Sequence, residues 1–255
     1  MRDFRDYLAL DRLPHMWCAG CGNGTVLGAL ARALGDLDLD PSQVVVVTGI
    51  GCWGKADDYM RTNALHGTHG RALAFATGIK GARPSLTVVA LMGDGDCMTI
   101  GGNHLIHAAR RNLSLTAVMV NNYNYGMTGG QYSATTPYGC RTTTSRKGCP
   151  EDAFDACALV TAAGAAMVAR TSVFHPVQTR ALFRQALTTP GFCFVEVAST
   201  CPTHFGRLNH RTGPAGHLED VANAAGNPGV ICKRKLDDFH ARYWRIHGKA
   251  DEHER

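Results

Sequence analysis

The chain has 255 residues, 45% of them hydrophobic and 18% charged, with a formal net charge of +5. That composition suits a soluble globular chain able to bury a full core as one domain or two small ones, and no apolar run reaches the roughly 18–20 residues that span a bilayer. The basic residues are scattered, with no basic helix interleaved with aromatics and no nucleic-acid motif, which points away from nucleic acid and from membrane. Residues 1–6 alternate in charge without an apolar core, unlike a secretory signal, so the cytoplasm is the expected location. In that reducing setting ten cysteines suggest metal or redox chemistry rather than a disulfide framework.

In chain order, Asn23 is placed to cap a helix over 24–34, with Val26, Leu27, Leu30 and Leu34 on one stripe. Residues 43–48 hold four consecutive valines and predict a strand buried on both faces. A helix over 71–80, a strand over 86–92, a helix over 102–111 and a strand over 115–120 follow. Residues 122–150 lack apolar periodicity. They carry Gly126, Gly129, Gly130, Gly139 and five threonines between Thr135 and Thr144, a composition suited to backbone approach to a ligand. Beyond Pro150 the pattern predicts a helix over 152–163, extended chain over 165–170, a helix over 177–187 and extended chain over 192–198; the polar end, 247–255, is expected to fray. Strands alternating with helices predict an α/β fold, a mostly parallel sheet with helices on both faces, in a single domain spanning 1–255.

Two of the predicted strands end in a recognisable pair. Met92-Gly93-Asp94-Gly95-Asp96 closes the strand over 86–92, and Asn121-Asn122 closes the strand over 115–120. One carboxylate and one carboxamide at adjacent strand ends could converge on Mg²⁺, which takes about six oxygen ligands and is held by few protein groups plus phosphates. On the residues alone, a capping Asp and an Asn-rich turn would look the same. The pairing and its spacing resemble the thiamine-diphosphate (TPP) motif. That resemblance implies that Asp94, the Asn122 side chain and the backbone carbonyl of Asn124 hold Mg²⁺. Gly93 and Gly95 would let a phosphate approach, and a helix starting near Gly101-Gly102 would add its positive end.

Further strings occur in order: Gly49-Ile50-Gly51-Cys52-Trp53, then His66-Gly67-Thr68-His69-Gly70-Arg71-Ala72, then Tyr125-Gly126-Met127-Thr128-Gly129-Gly130-Gln131. From about Met16 to Asn209 the chain resembles the β subunit of the 2-oxoacid:ferredoxin oxidoreductases. The resemblance implies that Ile50, Gly51, Cys52, Trp53, His69, Gly93, Gly95, Asp96, Gly126, Met127 and Thr128 line the TPP site. His69 could equally cap a helix or sit in the core, and His66 has no assigned role.

Cys18 and Cys21 form a C-x-x-C pair, Cys52 follows the valine strand, and Cys201-Pro202 follows the strand over 192–198. Four thiolates suit tetrahedral Zn²⁺ or a [4Fe-4S] cluster, and the C-x-x-C pair alone would suit a redox dithiol. The resemblance implies a [4Fe-4S] cluster on Cys18, Cys21, Cys52 and Cys201. Cys97, Cys157, Cys193 and Cys232 lie in or beside apolar elements and read as small hydrophobes, whereas Cys140 and Cys149 fall in the polar loop without further ligands at metal spacing.

What the resemblance implies is oxidative decarboxylation of a 2-oxoacid, leaning to 2-oxoglutarate, to acyl-CoA and CO₂, with electrons passing through the cluster to ferredoxin. Coenzyme A would accept the acyl group. The sequence has five glutamates, none before Glu151 and none within these motifs, so the glutamate that activates the cofactor's aminopyrimidine is expected from an α subunit, in a heterodimer or α2β2 assembly. Lys55, Arg61 or that partner would recognise a substrate carboxylate. Rival readings are a non-oxidative TPP decarboxylase or carboligase with a structural cluster, and a zinc-stabilised partner-binding protein.

Overall fold

The computed structural model describes residues 2–209 and 213–248. It contains seven strands, β1 (Val44–Thr48), β2 (Asn63–His66), β3 (Thr87–Gly93), β4 (Thr116–Asn121), β5 (Met167–Ser172), β6 (Cys193–Ala198) and β7 (Gly229–Lys233), in one sheet of order β2-β1-β3-β4-β6-β5-β7. Every neighbouring pair is parallel except β5–β7, which is antiparallel. Helices α1 (Asn23–Asp36) and α5 (Pro176–Thr188) cover one face, and α2 (Ala72–Ala82), α3 (Gly102–Arg111) and α4 (Ala156–Ala163) cover the other.

This arrangement accounts for the four valines of β1. Val44 and Val46 enter the core beneath α1 with Leu30, Leu34 and Phe183, while Val45 and Val47 enter the core beneath α2 and α3 with Leu73, Leu105 and Phe194. A strand with a helix layer on each side buries both of its faces, so alternation disappears and β-branched residues fill every position. The expected α/β architecture with a mostly parallel sheet is the one observed.

Several local expectations are corrected. Asn23 does not cap α1: Gly22 occupies that place, and Asn23 is buried inside the first turn. A Cβ at Gly22 would meet Ser199 Oγ at 2.4 Å and Val173 Cγ1 at 2.5 Å, so only glycine fits where the chain passes the ends of β5 and β6. The first helical turn after Asp94 is a π-helix, Gly95–Ile100, ahead of α3. The helical N-terminus at the site is therefore that turn, not the one expected at Gly101-Gly102. α4 begins at Ala156, with Asp155 accepting the Ala158 N–H at 3.0 Å, rather than at residue 152. β2 and β7 escaped prediction because both are short edge strands with largely exposed side chains, where burial imposes no pattern. Three further helices follow among the described residues, the single turn α6 (Arg207–Asn209), the longer α7 (Gly213–Ala225) and α8 (Phe239–His247). His247 thus ends a helix, and residues 249–255 of the expected frayed end lie outside the described residues.

From β1 the chain passes outward to β2, then returns to β3 on the opposite side of β1. That reversal opens a crevice at the carboxyl edge between β1 and β3, the place where open α/β sheets take ligands. At the other edge, Asn112 ends α3 in the left-handed conformation (φ 58°). Its Oδ1 accepts the Phe192 N–H at 2.9 Å and its Nδ2 donates to the Asp237 carbonyl at 3.1 Å. Replacing it leaves a buried N–H unpaired and puts a Cβ-bearing residue without a local acceptor at positive φ. Asn112→Ala is expected to cost about 2–3 kcal/mol, read as a lowered midpoint in thermal or urea unfolding, with the TPP-site residues untouched.

Candidate cofactor and cluster site

The loops after β1, β3 and β4 meet at the carboxyl edge. They enclose a pocket lined by Ile50, Gly51, Cys52, Trp53, His69, Gly93, Asp94, Gly95, Asp96, Asn122, Asn124, Tyr125, Gly126, Met127 and Thr128. Every residue expected at the cofactor or its cation is in that wall. Tyr125 is an addition to the expected set; its ring covers Gly95, where an added Cβ would lie 2.3 Å from Tyr125 Cε1. Its place between Asn124 and Gly126 is the one signal for it in the sequence.

Asp94 is 1% exposed, and burial raises its carboxyl to about 6 against the pull of its hydrogen bonds. Its Oδ2 faces the hydroxyls of Ser133 and Thr135, the latter at 2.9 Å, both from the long loop after β4. The Asn122 side-chain amide reaches the Asn124 carbonyl oxygen at 2.7 Å and Asp94 Oδ1 at 3.1 Å, and its NH₂ donates to both. Neighbouring ligands of an octahedral ion with bonds of about 2.1 Å lie about 3.0 Å apart, and the end of the Asn122 side chain is at about that spacing from the Asn124 carbonyl oxygen and from Asp94 Oδ1. Tyr123, between the two asparagines, sits at φ 64°, a strained conformation for an aromatic residue.

Asp96 ties the pocket's walls together. Its Oδ1 accepts the Gly70 N–H at 2.6 Å and the Ile50 N–H at 3.3 Å, and lies 2.5 Å from His69 Nδ1. With Nδ1 donating to this carboxylate, His69 keeps Nε2 for the pocket it lines. A Cβ at Gly49 would lie 2.2 Å from Asp96 Oδ2, which explains a glycine immediately after β1.

The four cysteines gather at the same edge. Their thiols sense one another electrostatically, and burial, the largest effect, pushes Cys21 up to about 11 and Cys52 up to about 12. A Cβ placed on Gly126 would lie 3.5 Å from both Cys52 Sγ and Cys201 Sγ. Gly126 and Cys52 therefore belong to the cofactor pocket and the cysteine group at once. Among the His, Cys, Asp and Glu side chains of the described residues, the only three ligand atoms within 4.8 Å of one another belong to Asp155, Cys157 and Glu196. No three of the four cysteine sulfurs are that close, whereas tetrahedral zinc with bonds of about 2.3 Å would draw its sulfurs to about 3.8 Å. The Asp155–Cys157–Glu196 group is already bridged by the Arg170 guanidinium, which fills a cation's place.

Other candidates lie elsewhere. His66 turns to Thr48 Oγ1 at 2.9 Å and Asp57 at 3.4 Å. Lys55 pairs with Asp58 at 2.6 Å and Arg61 with Asp11 at 2.8 Å, and neither lines the pocket. Cys140 and Cys149 are adjacent in the loop, the Cys149 N–H donating to the Cys140 carbonyl at 2.7 Å, and Cys149 is buried rather than exposed. Among the described residues no glutamate reaches the pocket: Glu151 accepts from Tyr132 on the surface, and Glu196 is engaged by Arg170 and Asn121.

Comparison with known proteins bears on this arrangement. Residues 49–197 match the thiamine pyrophosphate enzyme family's C-terminal TPP binding domain. The chain is 48% identical over 213 residues to the 2-oxoglutarate synthase subunit KorB of Methanocaldococcus jannaschii, covering 84% of this chain and 79% of that one. It is 40% identical over 190 residues to the 2-oxoacid:ferredoxin oxidoreductase subunit beta of Saccharolobus solfataricus, covering 74% of this chain and 62% of that one. A solved structure of 2-oxoglutarate:ferredoxin oxidoreductase from Magnetococcus marinus, with 2-oxoglutarate, coenzyme A and succinyl-CoA bound, superposes with a TM-score of 0.86 at 29% identity, over 99% of this chain and 93% of that one. With the G-D-G and N-N loops meeting in one pocket inside the matched domain, the chain belongs to the TPP-binding β subunits of the 2-oxoacid:ferredoxin oxidoreductases, the family that includes the 2-oxoglutarate synthase KorB subunits.

Proposed function

We propose that this chain is the β subunit of a 2-oxoglutarate:ferredoxin oxidoreductase, converting the 2-oxoacid and coenzyme A to acyl-CoA and CO₂. Electrons leave through a [4Fe-4S] cluster on Cys18, Cys21, Cys52 and Cys201 to ferredoxin. The observation that carries this reading is the shared wall: Cys52 lines the cofactor pocket, and the position of a Gly126 Cβ is 3.5 Å from two of the four cysteine sulfurs. No three of these sulfurs lie within 4.8 Å of one another, which supports a cuboidal cluster over the tighter sulfur set of a single zinc ion. 2-Oxoglutarate is favoured because several relatives at 48–51% identity carry the name 2-oxoglutarate synthase.

Thiamine diphosphate, when bound, supplies the carbanion-stabilising chemistry that decarboxylation of a 2-oxoacid needs. This chain's part is to hold and orient. Asp94, the Asn122 side chain and the Asn124 carbonyl would hold Mg²⁺, while Ser133 and Thr135 hold Asp94 Oδ2. Gly93 has open space where a side chain would stand and leaves the backbone free for a phosphate, whereas Gly95 makes room for the Tyr125 ring. His69, fixed by Asp96, offers a ring N–H or lone pair to whatever fills the pocket. Buried thiols held up near 11 and 12 are neutral at pH 7, so iron must displace their protons, and cluster assembly is coupled to proton release. The ten free cysteines suit a reducing cytoplasm. With no glutamate at the pocket among the described residues, an α subunit would complete the site, covering Ile50 and Met127, which are 38% and 42% exposed at its wall.

The deciding experiment is anaerobic co-purification with the α subunit, then viologen reduction with a panel of 2-oxoacids and coenzyme A. 2-Oxoglutarate should be the best substrate and the β chain alone should be inactive; activity without any electron acceptor would refute the oxidative reading. Asp94→Ala is expected to abolish Mg²⁺-dependent TPP binding by calorimetry while the brown iron–sulfur absorbance persists. Cys52→Ala should lose that absorbance and its iron. Gly49→Ala forces a Cβ into Asp96 and should weaken TPP binding at least tenfold, with cluster content unchanged.

A further inference from the structure

The second asparagine of the Asn121-Asn122 pair is accounted for by the cation; the first faces away from the pocket and is 4% exposed. Its Nδ2 donates to Glu196 Oε1 at 2.8 Å, and its Oδ1 accepts the Tyr123 N–H at 3.2 Å and lies 2.9 Å from the Thr135 hydroxyl. Glu196 is itself 5% exposed and pinned by Arg170 Nε at 2.8 Å and by the Cys157 thiol at 3.2 Å, both on Oε2. An ionised carboxylate only accepts, so the Asn121 end facing Glu196 must be the NH₂, and the oxygen must face Tyr123 and Thr135. A buried glutamate thus sets the orientation of this amide.

That orientation has a consequence at the cation. Tyr123 is the residue at φ 64° between Asn122 and Asn124, and its N–H is held by Asn121 while its carbonyl accepts the Thr136 hydroxyl at 2.7 Å. A left-handed aromatic residue persists only where its surroundings over-determine it. Across that kink the Asn122 side chain reaches both the Asn124 carbonyl oxygen and Asp94 Oδ1. Thr135 adds a second link, lying 2.9 Å from both Asn121 Oδ1 and Asp94 Oδ2.

We infer that Glu196 and Asn121 are positioning residues for the cation site: Glu196 orients the Asn121 amide, and Asn121 holds the Tyr123 kink that presents Asn122 and Asn124 to Mg²⁺. This inference rests on the Mg²⁺–TPP reading of Asp94, Asn122 and Asn124. It gives the motif's first asparagine a role without ligation, and gives the chain's one deeply buried glutamate among the described residues a role outside proton transfer.

A charge-preserving swap tests it. Asn121→Asp sets two carboxylates against each other, whereas Asn121→Asp with Glu196→Gln restores one donor and one acceptor in reversed positions. The complex with the α subunit is stripped of divalent cation and given saturating TPP. Mg²⁺ is then titrated, read by calorimetry and by fluorescence of Trp53 in the pocket wall, with hydrogen exchange reporting the Tyr123 amide. Asn121→Asp should raise the half-saturating Mg²⁺ concentration at least tenfold and speed Tyr123 exchange. The double variant should return both to within threefold of the parent, and iron–sulfur absorbance should be constant throughout. An unchanged Mg²⁺ requirement in Asn121→Asp, or a double variant no better than the single, overturns the inference. Should the single variant not fold, the double variant decides alone: a Mg²⁺ requirement far above the parent's overturns it. A parent complex that binds TPP without Mg²⁺ would instead overturn the cation reading beneath it.

Discussion

A carboxylate buried to 1% exposure at the end of β3 is the constraint from which the rest of the site follows. Burial disfavours the charged form of Asp94 and raises it to about 6, so the protein must surround it with compensating groups. Two hydroxyls from the loop after β4 meet Oδ2, and the Asn122 side-chain amide reaches Oδ1. The long segment 122–150, which has no periodic pattern, is thereby given a structural task. Its Ser133, Thr135 and Thr136 are buried because they serve this carboxylate and the turn beside it.

The carboxyl edge of the sheet concentrates two kinds of chemistry. Parallel strands end there together, so the loops after β1, β3 and β4 converge, and the cysteines after β1 and β6 join the pair that precedes α1. Gly126 marks the boundary: a side chain there would contact Cys52 and Cys201 on one side, while its backbone walls the cofactor pocket on the other. β3 and β4 separate the ends of β1 and β6, so the loops carrying Cys52 and Cys201 reach across them, three strand spacings of about 4.8 Å each, to flank Gly126. The same geometry leaves the pocket open toward Ile50 and Met127.

Much of this is legible in the amino-acid sequence. The strands of the sheet's centre are legible because burial on both faces demands continuous β-branched runs, as in Val44–Val47. The cofactor residues are legible because they are glycines, an aspartate and asparagines at strand ends, where neither core packing nor helix propensity calls for them. Less legible are elements whose determinants are remote. Gly22 rather than Asn23 caps α1 because Ser199 and Val173 pass close by, and the π-helical turn after Asp94 depends on packing rather than on a local signal. By residue type Lys55 and Arg61 are available for a substrate carboxylate; in the fold, nearby aspartates claim both.

Sequence alone determined the fold class, the strand ends that carry chemistry, the four cysteines, and the lack of a glutamate in the motif strings. Those properties depend on residue type and on the order of elements, which the chain records directly. Tertiary structure alone decided that Asp94, Asn122 and Asn124 meet in one pocket wall, that Cys52 and Cys201 flank Gly126, and that Asn121 answers to Glu196 seventy-five residues away. Each of these is an angle or a distance between segments remote in sequence, set by the register of parallel strands and the packing around a buried charge, and no local pattern encodes it.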